Sequence, residues 1–307
     1  MQPFRRRLEQ PGALVADGAM GTMLQKRGLK PGECPERMNL ERPEVLEEIA
    51  GAYLDAGAEI IQTNTFGGSP LKLASYGLES RTEEVNARAV AAARKAVGDR
   101  AYLSASCGPS GRILEPYGDT ARDSVRNSFR RQMRTLISEG VDLICIETMT
   151  DLAEAVLAVE AARSISTDLP VCATLTFDAT PRGFFTIMGT TIPQAARGLE
   201  EAGAGIVGSN CGNGVERMAA IAGEFLAHTR LPVLIQSNAG LPTLKDGVAV
   251  FPESPEFMAE KCRGMIALGV KILGGCCGTT PRHIAAIRDA VDALSRSRPP
   301  SLPAPSS

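Results

Sequence analysis

Eight times along this chain, a short run of β-forming residues gives way to a longer helical stretch. No other feature of the sequence constrains the fold as tightly. The runs are ALVADGA (13–19), EIIQTNTF (59–66), AYLSASCG (101–108), LICIETM (143–149), VCATLTFD (171–178), GIVGSNCG (205–212), PVLIQSNAG (232–240) and KILGGCCG (271–278). Between them lie helical patterns such as PEVLEEIAGAYLDAGA (43–58), RTEEVNARAVAAARKAV (81–97) and DLAEAVLAVEAARSI (151–165). Several end in a glycine suited to a helix C-cap: Gly57, Gly98, Gly140 and Gly269. Strand–helix alternation of this kind builds parallel βα units.

A count that closes at eight predicts a single-domain α/β fold, a (β/α)8 TIM barrel. An open doubly wound sheet is the lesser alternative, since no G-x-G-x-x-G fingerprint opens the first helix. The barrel is expected over 13–294, preceded by an N-terminal extension (1–12) and followed by a disordered Pro/Ser tail (295–307). A length of 307 residues and 44% hydrophobic content suit one large core. A net charge of -2 and a pI near 5.9 give no reason to expect nucleic acid or a membrane surface. No apolar stretch reads as an export signal or a membrane span, so a cytoplasmic location is expected.

In a barrel, the C-terminal ends of the strands form the active face. Those ends carry Asp17, Asn64, Cys107, Glu147, Asp178, Cys211, Asn238 and the pair Cys276–Cys277. Nearly every one can ionise, ligate or hydrogen-bond, which a purely structural barrel does not need.

The eight cysteines are expected to be reduced thiols, because a chain of this length needs no disulfide stapling and no export signal is visible. Three of them, Cys211, Cys276 and Cys277, converge on the active face. Three thiolates with one open position suit a catalytic Zn²⁺. The same residues also fit a buried pair with an unrelated third thiol, or a vicinal disulfide. Neighbouring residues of a strand point to opposite faces, so two adjacent cysteines reach one ion only if the strand breaks. The surrounding glycines are read as supplying the backbone angles for that break.

The segments VADGAMGTMLQKRG, TNTFGGSPLKLASYGLE, GSNCGNG, SNAGLP and GGCCGTTPRHI together resemble the homocysteine S-methyltransferase family. The likeness is strongest to the homocysteine-binding domain of cobalamin-dependent methionine synthase, and it covers about residues 10 to 294. It implies a zinc (β/α)8 barrel whose three cysteine ligands match Cys211, Cys276 and Cys277. Asn238 matches a replaceable fourth ligand. Asp17 and Glu147 match the carboxylates that hold the amino group of homocysteine, with backbone N–H groups near Gly18 for its carboxylate and Asn64 lining the site.

The chemistry is coherent with that likeness. A free thiol is mostly protonated at neutral pH and a poor nucleophile, whereas Zn²⁺ coordination deprotonates it. The expected reaction moves a methyl group to the homocysteine thiol, giving methionine. The expected donor is a methyl-corrinoid (methylcobalamin) on a separate protein, since the chain is read as having no room for its own corrinoid or folate domain. S-methylmethionine or S-adenosylmethionine is the alternative donor. Betaine is disfavoured because quaternary ammonium recognition favours aromatic cages and the chain has no Trp and four Tyr. A zinc-holding thiol sensor without turnover is the alternative of another class, though it leaves Asp17 and Glu147 without a purpose. Cys145 and Cys172 read as core, Cys34 and Cys262 as incidental, and Cys107 is unassigned. Asp178 reads as site-lining, His283 as a helix-start or supporting residue rather than a ligand or base, and His228 as structural.

Overall fold

Strands of a parallel barrel are covered on both faces, so they must be apolar almost throughout. In the computed structural model, which describes residues 1–245 and 248–297, eight such strands form one parallel sheet. They are β1 (Leu14–Val15), β2 (Ile60–Gln62), β3 (Tyr102–Cys107), β4 (Leu143–Met149), β5 (Val171–Leu175), β6 (Ile206–Asn210), β7 (Val233–Ser237) and β8 (Ile272–Gly275). The order is β1-β8-β7-β6-β5-β4-β3-β2, and a parallel bridge between Ala16 and Ile60 joins the two ends. The result is a (β/α)8 barrel.

A helix follows each strand: α1 (Pro43–Asp55), α2 (Thr82–Val97), α3 (Arg122–Ser138), α4 (Leu152–Arg163), α5 (Ile192–Ala202), α6 (Val215–His228), α7 (Pro255–Leu268) and α8 (Pro281–Ser297). Their ends follow local chemistry. Thr191 and Gln194 form a reciprocal capping box on α5. Gly269 closes α7 at φ 108°, a conformation that suits glycine.

Strand alternation divides the apolar residues into two groups. Val15, Ile61, Leu103, Ile144, Ala173, Val207, Ile235 and Leu273 face the helices. Leu14, Ala16, Ile60, Tyr102, Leu143, Cys145, Cys172, Ile206, Leu234 and Ile272 fill the barrel interior at its N-terminal end. Two residues further along, the interior turns polar on five strands, with Gln62, Ser104, Glu147, Thr174 and Gln236, while β6 and β8 carry Gly208 and Gly274 there. The apolar half holds the barrel together and leaves the polar half to chemistry.

Residues 1–12 read only as an extension in the sequence. In the structure Phe4–Glu9 form a helix that closes the N-terminal mouth. Phe4 is buried with its ring edge-on to Tyr102 at 4.9 Å, and the Tyr102 hydroxyl donates to the Gln2 carbonyl at 3.0 Å. At the other end α8 runs to Ser297. Residues 298–307, most of the expected tail, lie outside the described residues.

Most strands end earlier than their sequence runs, and at β5 this displaces a predicted site residue. β5 stops at Leu175, and Asp178–Thr180 pairs antiparallel with Gly183–Phe185 in a hairpin above the barrel. Asp178 is exposed there and does not line the cavity at the strand ends. The turn signal Pro181-Arg182-Gly183 makes local pairing available to residues that otherwise read as the end of a barrel strand.

Candidate active site

Three thiols meet at the C-terminal mouth. Cys211 follows β6 with φ 60°, a left-handed conformation rare outside glycine, and Gly212 follows at φ 73°. Such a residue costs on the order of 1–3 kcal/mol and persists only where its surroundings hold it. They do so here: Cys211 N–H donates to Gln236 O at 3.0 Å, and Asn213 N–H donates to Cys211 O at 2.8 Å.

Cys276 continues the β8 ladder, its N–H donating to Ser237 O at 2.7 Å, and then opens a turn closed by Thr279 N–H to Cys276 O at 3.1 Å. Only one of the glycines around the pair takes the angle expected of them all. Gly278 has φ 81°, while Gly274 and Gly275 stay within the regular strand. Those two are needed for closeness instead. A Cβ on Gly274 would lie 2.8 Å from Asp17 O, and one on Gly275 would strike the Thr279 side chain.

The three Sγ atoms lie within 4.8 Å of one another, with Cys211 and Cys277 3.9 Å apart. A tetrahedral ion with metal–sulfur bonds of about 2.3 Å spaces its sulfurs by about 3.8 Å, so the donor set fits such a metal. The Cys276 and Cys277 thiols hydrogen-bond to Cys211 and hold it well below the ordinary thiol range, while both of them are pushed up. Asn238 is buried beside the cluster with its Oδ1 unpartnered among the described residues.

Beside the thiols lies a cavity of about 270 Å³, at the small end of ligand pockets. Glu147 enters it from β4. The β4–β5 register slips between Ile146 and Met149, and Thr148 takes φ 59°. Asn210 clamps this irregular segment: its Oδ1 accepts from Thr148 N–H at 2.7 Å, and its Nδ2 donates to Glu147 Oε2 at 3.0 Å. Gln62 Nε2 donates to Glu147 Oε1 at 3.1 Å, and the Ser106 hydroxyl donates to the same oxygen. Asp17, buried at the end of β1, accepts from Gln62 N–H through Oδ2 at 2.8 Å, while its Oδ1 has no partner among the described residues.

Burial pushes Asp17 up to about 8, partly offset by the Gln62 N–H and reinforced by Glu147. Burial likewise pushes Glu147 up to about 7, opposed by the Ser106 hydroxyl. Two carboxyls raised in this way have unmet demand for a positive partner.

Gly18 lines the cavity and has no room for a side chain, since a Cβ would lie 2.7 Å from Thr279 Oγ1 and 2.9 Å from the Tyr53 ring. Asn64 also lines it, but its amide donates to Pro35 O and Asn39 Oδ1, ordering the loop after β1. His283 accepts from Thr280 N–H at Nδ1 and donates to Glu253 O from Nε2, so both ring nitrogens are engaged away from the thiols. His228 is exposed on α6, its Nδ1 facing Glu224 O. Cys107 is fully buried against the helix layer, outside the cavity lining. Cys145 and Cys172 lie in the lower barrel core and Cys262 in the outer core. Cys34, which reads as incidental, packs 3.3 Å from Glu36, a buried cavity-lining carboxylate.

Gln62, Ser106, Asn210, Gln236 and Glu36 are site residues the sequence reading passed over. For the first four a signal was present, a polar residue inside a strand otherwise made of apolar or small residues. Glu36 sits in a loop and carried none.

A barrel with a three-thiol cluster and two buried carboxyls at its C-terminal mouth defines a metal-competent enzyme site. The profile of the homocysteine S-methyltransferase family matches residues 14–291. The chain is 34% identical over 302 residues to methionine synthase of Mycobacterium tuberculosis, covering 92% of this chain and 25% of that protein. It is also 34% identical to methionine synthase of Mycobacterium leprae, covering 91% and 24%. It thus spans about a quarter of the length of these relatives. The metallated form of the Escherichia coli homocysteine methyltransferase MmuM shares the fold, with a TM-score of 0.77 at 23% identity over 94% of this chain and 99% of that one. The chain belongs to the homocysteine S-methyltransferase family.

Proposed function

We propose that this barrel is a zinc-dependent catalyst of methyl transfer to the thiol of homocysteine, giving methionine. The observation that carries the reading is the meeting of three sulfurs within 4.8 Å beside a cavity that Glu147 lines, with Asp17 buried next to it at Gln62. Cys211, Cys276 and Cys277 would hold Zn²⁺, with Asn238 as a fourth ligand that substrate displaces. Bound there, the ion supplies the acidity that keeps a substrate thiol in its nucleophilic thiolate form at neutral pH.

The other residues bind and orient. Asp17 and Glu147 receive the α-ammonium of homocysteine, and its charge restores both carboxyls to their ionised form. Backbone N–H groups beside Gly18 receive the carboxylate. The pocket thereby fixes the substrate at both ends of its amino-acid portion and leaves the sulfur facing the thiol cluster. Asn64 supports the wall of the pocket through Pro35 and Asn39.

The proposed donor is a methyl-corrinoid carried outside this barrel; its support is the 34% identity to relatives named methionine synthase, of which the chain covers about a quarter. A cytoplasmic location is proposed with it; no described helix is long and apolar enough to cross a membrane. A donor panel tests the assignment. Zinc-loaded protein with homocysteine is offered methylcobalamin, S-methylmethionine, S-adenosylmethionine and betaine in turn. Methionine is expected from methylcobalamin. Turnover with S-methylmethionine or S-adenosylmethionine alone would replace the corrinoid, and turnover with betaine alone would refute the donor reading altogether.

A further inference from the structure

Gln236 ends the polar layer of β7 and is 2% exposed, yet it lines the cavity. Its backbone carbonyl is engaged, accepting from Cys211 N–H at 3.0 Å. Its side-chain Oε1 is buried and has no partner among the described residues. A buried acceptor without a donor costs stability, and native proteins rarely leave one. Asp17 Oδ1 is in the same condition.

The strand register explains how one ligand could serve both. Gln236 is paired with Gly274 of β8, and β8 lies between β7 and β1. Gly275 N–H donates to Asp17 O at 2.9 Å, which ties β8 to the end of β1. Glycine at 274 leaves β8 without a side chain beside Gln236, and the neighbour on β1 at that level is the small Ala16. On its other side Gln236 is paired with Asn210, whose Nδ2 holds Glu147. Gln236 therefore lies in the polar layer of the barrel, two strands from Asp17 and linked through Asn210 to Glu147.

An alkylammonium carries three N–H donors in a tetrahedral spread. Two carboxylates account for two of them. We propose that Gln236 Oε1 is the third acceptor for the substrate's α-ammonium, making Gln236 a specificity-determining residue for a free primary amine. This inference rests on the homocysteine reading given above. It adds a consequence that the carboxylates alone do not impose: all three N–H groups are counted, so an N-alkylated substrate loses a bond and gains a clash.

The test measures binding by calorimetry in zinc-loaded wild type, Gln236→Met and Gln236→Glu, with zinc content determined for each. The ligands are homocysteine and its deamino analogue 4-mercaptobutyrate. Gln236→Met keeps the side chain's length without its acceptor, and it is expected to weaken homocysteine about tenfold while leaving 4-mercaptobutyrate unchanged. Gln236→Glu keeps an acceptor and is expected to retain homocysteine binding, so its recovery relative to Gln236→Met separates loss of the acceptor from a packing effect. Equal losses for both thiols in the two variants, or no loss of homocysteine affinity in Gln236→Met, would overturn the assignment. Failure of the wild type to bind homocysteine at all would overturn the functional reading and this inference with it. Binding indifferent to Gln236 overturns only the inference.

Discussion

The sulfurs of Cys211 and Cys277 lie 3.9 Å apart although β7 runs between their strands. The contact across an intervening strand depends on where β7 ends. Its last residues give their carbonyls to both sides, Gln236 O to Cys211 N–H and Ser237 O to Cys276 N–H. The chain segments bearing the cysteines are thus fastened to a common edge. The left-handed turn at Cys211 then brings its sulfur to the pair on β8.

Because backbone hydrogen bonds to β7 hold these segments, and not the sulfurs themselves, removing one thiol should empty the site without unfolding the barrel. Replacing Cys211 with Ser is expected to lower bound zinc from one ion per chain to a small fraction and to abolish methionine formation. The far-ultraviolet circular dichroism should be unchanged. Full zinc retention by this variant would remove Cys211 from the ligand set.

Glu147 is assigned to the substrate amine and not to the metal. Replacing it with Gln keeps its size and removes one charge. Zinc content should stay at the wild-type level while homocysteine affinity falls on the order of tenfold or more, since a hydrogen bond to a charged group contributes about 1.5–3 kcal/mol. 4-Mercaptobutyrate should bind both proteins alike. If both thiols weaken together, Glu147 acts through the metal or the fold.

The raised carboxyls give a pH signature. Asp17 at about 8 and Glu147 at about 7 bind protons in the folded, unliganded protein that they would release in the unfolded chain. Their contribution to stability is therefore complete below the ordinary carboxylate range and is lost as pH rises through about 7 to 8. An ammonium in the pocket favours the ionised forms and reverses the shift. At pH 7 homocysteine binding should release more protons than the thiol alone provides, and 4-mercaptobutyrate should release only the thiol's. Calorimetry in buffers of different ionisation enthalpy measures this; equal proton release by the two ligands would contradict the pairing.

The barrel was legible because eight apolar runs with helical spacers admit few other closures. Cys211, Cys276 and Cys277 could be placed on its active face from strand position alone. What the sequence hid was local. Nothing in LICIETM announces that the ladder slips after Ile146 and that Thr148 takes a left-handed conformation, because the cause is Asn210, 62 residues away. Asp178 was misplaced because a Pro-Arg-Gly turn let the residues after β5 pair locally. The Phe4 helix was missed because its amphipathic partner surface, the barrel floor, exists only once the barrel has closed.

The three-thiol cluster is proposed as a metal site with one position reserved for the substrate sulfur. X-ray absorption at the zinc edge, on zinc-loaded protein before and after homocysteine, counts that sulfur directly. Three sulfurs and one nitrogen or oxygen donor are expected without substrate, and four sulfurs with it, at about 2.3 Å. An unchanged sulfur count on saturation with homocysteine would contradict that assignment.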